Sequence, residues 1–392
     1  MPERIHGVLA RRQRYLFNLN TCIIESFFLK YIRAVEEGIS MSALLGFTFF
    51  HEFTFLRLQV LLAKYPPEKI WTAFTAQDLQ LLGLPPERQT EILKFRDSFA
   101  PDKELERLHA KNISVLDYYS AEYPALLKEI YDPPLALYKK GSLHIADCSG
   151  IAVVGTRQPD NYGLKATAEI VRALSGKTIV SGMASGIDTA AHQAALAAGL
   201  PTIAILGTPI DKCFPAANYK LYRRLCHEYA VLSEYAPSTP YGKWSFPRRN
   251  RLITGLSQAT IVIEGKFTSG ALISGKIALE QNREVYALPG ELGNPLAAGP
   301  NWLIAQGARP IYDLEKLRLE LGGAQLNLAF PQPQYALNPD EQKIYAQIPA
   351  DDTITMDTLL EAFDFGFLSK TLLQMEIKGM VSILPGKKVV RI

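Results

Sequence analysis

The 392-residue chain is short of the residues that would commit it to a specialised architecture. It has four cysteines, Cys22, Cys148, Cys213 and Cys226, with no C-x-x-C pair and no His/Cys cluster at metal spacing. That argues against a disulfide framework or a zinc site and for reduced thiols. It has no excess of either charge: 42 Lys+Arg against 39 Asp+Glu leave +3. Any affinity for an anionic partner must therefore come from a local patch. Apolar runs of spanning length are lacking too. The most apolar stretch, ISMSALLGFTFF (39–50), runs into His51, Glu52 and Arg57, well short of the ~20 residues a membrane helix needs. The opening MPERIHGVLARRQRYLF has neither the apolar core nor the small-residue cleavage site of a secretory signal. No Walker A motif and no G-x-G-x-x-G occurs, so neither ATP nor a dinucleotide is indicated. These absences predict a cytoplasmic protein with no membrane contact, no metal and no cofactor.

What is present falls into regions of different texture. The length favours two or three domains. Residues 1–110 carry helical spacing without a convincing strand, and LQLLGLPPERQTEILKFR (79–96) places a Gly-Leu-Pro-Pro turn before a helical run. That shape is compatible with a helix-hairpin-helix or SAM-like unit holding a DNA backbone, or with a helical domain used only for packing. In 112–143 the two ends look strand-like, and Pro133-Pro134 holds an extended path between them.

From 150 the pattern alternates. Apolar runs at Ile151–Val154, Thr178–Val180, Thr202–Leu206, Val231–Ser233, Thr260–Glu264, Glu284–Leu288 and Pro310–Tyr312 are separated by helical stretches such as 164–176 and 188–199. In the second stretch Asp188 reads as an N-cap and Gly199 as the stop. Strands this apolar are buried on both faces, which predicts an α/β fold: an extended Rossmann-type parallel sheet covered by helices, over 111–322. Residues 323–338 read as a linker. Residues 339–392, with three short helices followed by two strands around Pro385-Gly386, have the order of a winged helix. Its expected recognition helix, LSKTLLQMEIKG, carries only Lys370 and Lys378, which favours a protein contact or packing over groove reading.

Ligands of open parallel sheets bind beyond the carboxyl ends of the strands. The first strand ends in Gly155-Thr156-Arg157, the second in SGMASGID with Gly182, Ser185 and Gly186, and the fifth in GKFTSGAL with Ser269 and Gly270. Small loops leading into helices suit oxyanions. After the fourth strand, YGKWSFPRRNR interleaves Lys243, Arg248, Arg249 and Arg251 with Tyr241, Trp244 and Phe246, and includes Asn250. Guanidinium groups grip phosphates, and aromatic faces stack unpaired bases. With Arg157 this makes five cations, more than a mononucleotide needs, which points to a polyanion. Catalysis has less support. His192 has no nucleophile partner and reads as structural, and Glu264 has no second carboxylate placed beside it by sequence.

The ordered stretches VVGTRQPDNYG, SGMASGIDTAAHQAAL, TIAILGTPIDKCFPAAN, LSEYAPSTP, FPRRNRLITGLSQATIVIEG, TSGALISGKIALEQNREVYALPG and NPLAAGPNWLIAQGA, preceded by YPALLKEIYDPPLALYKKG, resemble the DNA-processing protein A (DprA/Smf) family over about 120–312. The resemblance implies a non-enzymatic, cytosolic protein of natural transformation and recombination. Such a protein binds and protects incoming single-stranded DNA, displaces single-strand-binding protein and loads RecA recombinase. It implies a homodimer, for which Trp302, Leu303 and Ile304 are the expected contact. By the same resemblance Arg157, Lys243, Arg248, Arg249 and Arg251 hold the DNA backbone, with Gly155, Thr156, Gly182, Ser269 and Gly270 as loop contacts. The chain departs from the family at Ser185, where many members carry a basic residue. Two rivals are a nucleoside-monophosphate N-glycosidase of the lonely-guy type and a nucleotide sensor on the same rim. FTSGALISGK lacks the Pro-Gly-Gly loop and glutamate of the first.

Overall fold

A computed structural model describes residues 44–146, 148, 150–322, 337–349, 353–378, 380–384 and 386–391. The linker expected at 323–338 lies almost wholly outside them, as do residues 1–43 and Cys22. The chain forms two compact units, Met1–Gln325 and Leu326–Ile392.

The first unit is built on a sheet of nine strands: β1 (Ser114–Asp117), β2 (Ala136–Lys140), β3 (Gly150–Val154), β4 (Thr178–Ser181), β5 (Thr202–Ile205), β6 (Ala230–Ser233), β7 (Ser257–Val262), β8 (Glu284–Ala287) and β9 (Arg309–Pro310). Their order is β1-β2-β6-β5-β4-β3-β7-β8-β9. All neighbours from β6 to β9 run parallel, while β1 and β2 pair antiparallel at one edge. Alternation along a strand sends successive side chains to opposite faces. Ile151 and Val153 of β3 join one buried cluster and Ala152 and Val154 the other. Burying each of the larger side chains contributes roughly 1.5–3 kcal/mol, so the doubly apolar runs are what hold the sheet between layers.

On one face lie α7 (Asn161–Ala173) and α8 (Ile187–Ala197), contributing Ile170, Val171, Ile187 and Ala191. The other face is covered by α10 (Ser245–Gly255) and α11 (Gly270–Glu280), through Leu252, Ile253 and Leu272. In the N-terminal region, α1 (Phe55–Lys64), α2 (Ile70–Ala73), α3 (Ala76–Leu81) and α4 (Pro86–Ser98) share that second core, while α5 (Pro101–Ala110) buries Leu108 in a third cluster with Ile113 and Tyr138. Phe47 packs edge to face with Phe53 and Trp71, and Phe53 does so with Phe74. Between α3 and α4 the Gly-Leu-Pro-Pro turn is real: Gly83 sits at φ +75° and Pro86 opens α4. Four further α-helices lie in this unit among the described residues: α6 (Ala125–Lys128), α9 (Tyr219–Glu228), α12 (Ala298–Ala305) and α13 (Leu314–Leu321).

The second unit runs α14 (Pro339–Gln347), β10 (Ile354–Thr355), α15 (Met356–Leu360), α16 (Phe365–Ile377), β11 (Val381–Leu384) and β12 (Lys388–Arg391). Its strands form a small antiparallel sheet in the order β10-β12-β11. Ile344, Leu359, Leu368, Leu372 and Val389 make its own core.

After β3 the chain steps outward through β4, β5 and β6, then returns to place β7 on the other flank of β3. This reversal opens a crevice at the carboxyl ends of β3 and β7, where sheets of this kind take ligands.

Candidate nucleic-acid interface

The turn after β3 is shaped by what presses on it. A Cβ on Gly155 would stand 2.5 Å from Ile187 Cγ1, and one on Gly186, at φ +82°, would stand 2.4 Å from the Thr156 carbonyl oxygen. Backbone therefore packs on backbone, and Ile187 N–H donates to Thr156 O at 3.1 Å. Gly186, not Asp188, is the N-cap of α8. The Asp188 carboxylate instead accepts from Gly182 N–H (3.1 Å) and Ala184 N–H (3.3 Å), bracing the loop before the helix. The cap assignment from sequence fails because helical geometry begins two residues earlier. Held by this packing, Arg157 is exposed at the crevice mouth, its guanidinium 5.9 Å from the Phe246 ring centroid.

The basic segment is not a loop but the first turns of α10, and helical spacing divides its cations. Ser245 pins the start, its hydroxyl 2.6 Å from Gly207 O and 2.7 Å from Gly242 O. Arg248 and Arg251, three residues apart and so on one helix face, turn away from the crevice. Arg248 Nη1 donates to His51 O at 2.9 Å. Arg251 Nη2 meets Glu234 Oε2 at 2.5 Å, and its Nε lies 3.4 Å from Asp132. Together they form a seam between the sheet unit's loops and the segment preceding α1. Burial opposes the charge on Arg251, but Glu234 and Asp132 outweigh it and raise its pKa.

Arg249 points inward and is 4% exposed. Its Nη1 donates to Gly182 O at 2.5 Å and to Ile205 O. Gly182 is a glycine for this reason, since a Cβ would lie 2.4 Å from that nitrogen. Burial lowers the Arg249 pKa to about 10, against the pull of Asp188. Burial likewise pushes the Asp188 carboxyl up, while Arg249 draws it down. Arg248 and Arg251 are thus ion-paired at the seam, outside the crevice, while Arg249 belongs to the crevice lining and its guanidinium is engaged by two carbonyls there.

What remains is an open crevice of about 560 Å³ lined by Arg157, Lys243, Phe214, Phe246, Asn250 and the start of α11, among others. Lys243 is exposed. Among the described residues neither Lys243 nor Arg157 has a carboxylate partner. Phe214 is 48% exposed, and its ring centroid is 5.3 Å from that of Phe246 at 49°. Ser269 caps α11, accepting from Leu272 N–H at 3.4 Å, and nothing stands within 4 Å of where a Gly270 side chain would begin. The amide-rich end of an 11-residue helix is thus presented to the crevice, an electropositive seat for an oxyanion. Gly155, Thr156, Ala184, Asp188 and Arg249 also line it; Ser185 is exposed and brings no charge.

Sequence reasoning missed Phe214, although the CFP of the third loop held the clue of an aromatic after a strand. It also missed a carboxyl pair. Glu264 is 3% exposed, accepts from Asp160 N–H at 3.2 Å and leaves Oε1 without a hydrogen-bond partner. Burial and Asp160 push its carboxyl up to about 7. Neither residue lines the crevice. His192 is buried with Nδ1 2.7 Å from Thr202 Oγ1, and burial lowers its pKa to about 3. It is a neutral core histidine. Of the proposed dimer contacts, Leu303 is fully buried against Gly275, so it cannot meet a partner. Trp302 and Ile304 are half-buried, with Trp302 beneath Lys276 and edge-on to Phe267.

Among the described residues no helix is long and apolar enough to cross a membrane, and no group of three or more His, Cys, Asp and Glu stands ready for a metal ion.

The family of DNA recombination-mediator protein A matches residues 114–322. The chain is 40% identical to the DNA processing protein DprA of Bacillus subtilis over 226 residues, covering 57% of this chain and 75% of that protein. It is 35% identical to Protein Smf of Synechocystis over 338 residues, 76% of this chain and 85% of that one. The X-ray structure of DprA from Streptococcus pneumoniae superposes with a TM-score of 0.63 at 32% identity, covering 72% of this chain and 98% of the other. The crevice, the sheet that frames it and these matches agree: the chain belongs to the DNA recombination-mediator protein A family.

Proposed function

We propose that the crevice binds single-stranded DNA without sequence preference, as part of natural transformation. The observation that carries this reading is the meeting of two cations without carboxylate partners, the exposed Phe214 ring beside the half-buried Phe246 ring, and a helix N-terminus in one open groove. Cations follow a phosphate backbone, and rings accept only bases that are not stacked in a duplex, each base worth roughly 1–3 kcal/mol. Gly155, Thr156, Arg157, Lys243, Phe246, Asn250, Ser269 and Gly270 make the direct contacts in this reading. Gly182 and Gly186 shape the groove from below, and Arg249 shapes it from within its lining.

From the family we further infer that the protein acts in the cytoplasm as a homodimer, protects incoming strands, displaces single-strand-binding protein and passes the strand to RecA recombinase. Trp302 and Ile304 are the surface residues offered to the dimer. The second unit is read as a winged helix with α16 as its recognition helix. The outer face of α16 shows Phe365 and Leu373, 65% and 55% exposed, while Lys378 is tied to Glu341 at 2.6 Å. That surface suits a protein contact better than a groove of duplex DNA.

The test is a titration with oligothymidylates of increasing length at several salt concentrations. Affinity that rises with length and falls with salt supports the reading. Micromolar binding of mononucleotides with no gain on lengthening would make the groove a nucleotide sensor instead. Release of free base from nucleoside monophosphates would reopen the glycosidase alternative.

A further inference from the structure

Beside the crevice the protein keeps a second set of rings in water. Tyr241 and Trp244 are 39% and 43% exposed. The Trp244 indole lies over the His51 imidazole, centroids 4.7 Å apart at 35°, and meets Tyr235 edge-on at 5.9 Å. The ammonium of Lys212 stands 5.4 Å from the centre of the Tyr241 ring.

Three features set this group apart from rings left outside by chance. Trp244 follows Lys243, a crevice residue, and comes two before Phe246, another, so the stack adjoins the groove along the chain. His51 belongs to the helical segment and is fixed by the seam, its carbonyl accepting from Arg248 Nη1 at 2.9 Å. The charges around the stack are settled. Glu52 is gripped by Arg88 at 2.5 Å. Burial lowers the His51 pKa, Arg248, Arg88 and Arg57 add to that, and Glu52 opposes it, leaving a neutral aromatic face at neutral pH. Amphipathic rings held half in water are typical of surfaces that meet a partner.

We propose that His51, Trp244 and Tyr241 form a second stacking platform for single-stranded DNA. The strand leaves the crevice past Lys243, stacks a base on the Trp244–His51 pair and passes a phosphate to Lys212. The helical N-terminal segment thereby becomes part of the DNA-binding surface. This inference rests on the single-strand reading of the crevice and lengthens its path.

The experiment compares oligothymidylates of about 5 nucleotides, enough for one compact site, with strands of about 15. Trp244→Ala and His51→Ala are expected to weaken the long strand about tenfold and leave the short one unchanged, while Trp244→Phe recovers most of the loss. Tryptophan fluorescence of the wild-type protein is expected to be quenched by the long strand only, and that quenching to disappear in Trp244→Phe. Unchanged long-strand affinity in both alanine variants overturns the platform while the crevice stands, and marks the rings as a protein-docking surface. Equal loss at both lengths also overturns it, because Trp244 then acts by shaping α10. If wild-type protein binds neither length, the single-strand reading fails and the platform with it.

Discussion

Two faces of one helix put the same side chain to opposite uses. On the seam face of α10, Arg248 and Arg251 meet Asp132, Glu234 and the carbonyl of His51. On the inner face Arg249 fills the space under Gly182. Across the crevice Arg157 is exposed with only a ring beneath it. A guanidinium enclosed by carboxylates and carbonyls has its donors satisfied and offers a ligand little. One with free donors is available to a phosphate. Three of the basic segment's four cations are therefore engaged within the fold, and Lys243 is the one without a carboxylate or carbonyl partner among the described residues.

If that contrast holds, the largest effect on stability comes from the buried arginine of the crevice lining. Arg249→Met leaves Asp188 buried without its cation and two carbonyls without a donor. The expected loss is about 4 kcal/mol, seen as a fall of roughly 10 °C in Tm. A Tm within a few degrees of wild type would show that the guanidinium is not structural. Arg251→Met comes next. Glu234 is 8% exposed and would keep only the 3.8 Å contact with Arg248, so we expect a loss of about 3 kcal/mol in denaturant unfolding. The salt dependence of DNA binding by the folded fraction should not move. A reduced salt slope would mean that Arg251 reaches phosphate after all.

The same contrast explains what was legible in the sequence. The sheet was: runs such as IAVV and TIAI are apolar at every position because both faces are covered, and no other arrangement of such strands satisfies them. The crevice was legible as a rim, since strand ends are where the loops must go. The assignment of its cations was not. FPRRNR reads as a basic loop until one knows that Ser245 anchors a helix start, after which a 100° step per residue fixes which arginine faces what. Nor could the pattern place Asp132 and Glu234, which come from two separate loops, opposite Arg248 and Arg251. Asp160 against Glu264 is the same case, a pairing across 104 residues. Long-range charge pairing has no period to read.

The crevice cations give smaller changes in a different observable. Arg157→Ala should leave Tm unchanged and weaken single-strand binding about tenfold at low salt. It should also reduce the salt slope by about 0.7, the value for one phosphate contact on a single strand. Oligonucleotide titrations at several salt concentrations check both. Loss of Tm without loss of slope would move Arg157 into the company of Arg249 and dissolve the distinction.

Lys243 is the weakest and most discriminating case. It is exposed on a short segment before α10, and its ammonium is a mobile point charge rather than a planar fork, so Lys243→Ala should cost only about threefold in affinity while lowering the slope by nearly as much as Arg157→Ala. A phosphate contact that releases a counterion shows fully in the slope even when little net affinity survives the cost of ordering a long side chain. Lys243→Arg should restore the slope and, by adding donors, tighten binding beyond wild type. If Lys243→Ala instead lowers affinity with no change in slope, its role is to hold the Trp244–Phe246 turn in place. The free cation of the crevice would then be Arg157 among the described residues, and the aromatic rings would carry more of the strand than the charges do.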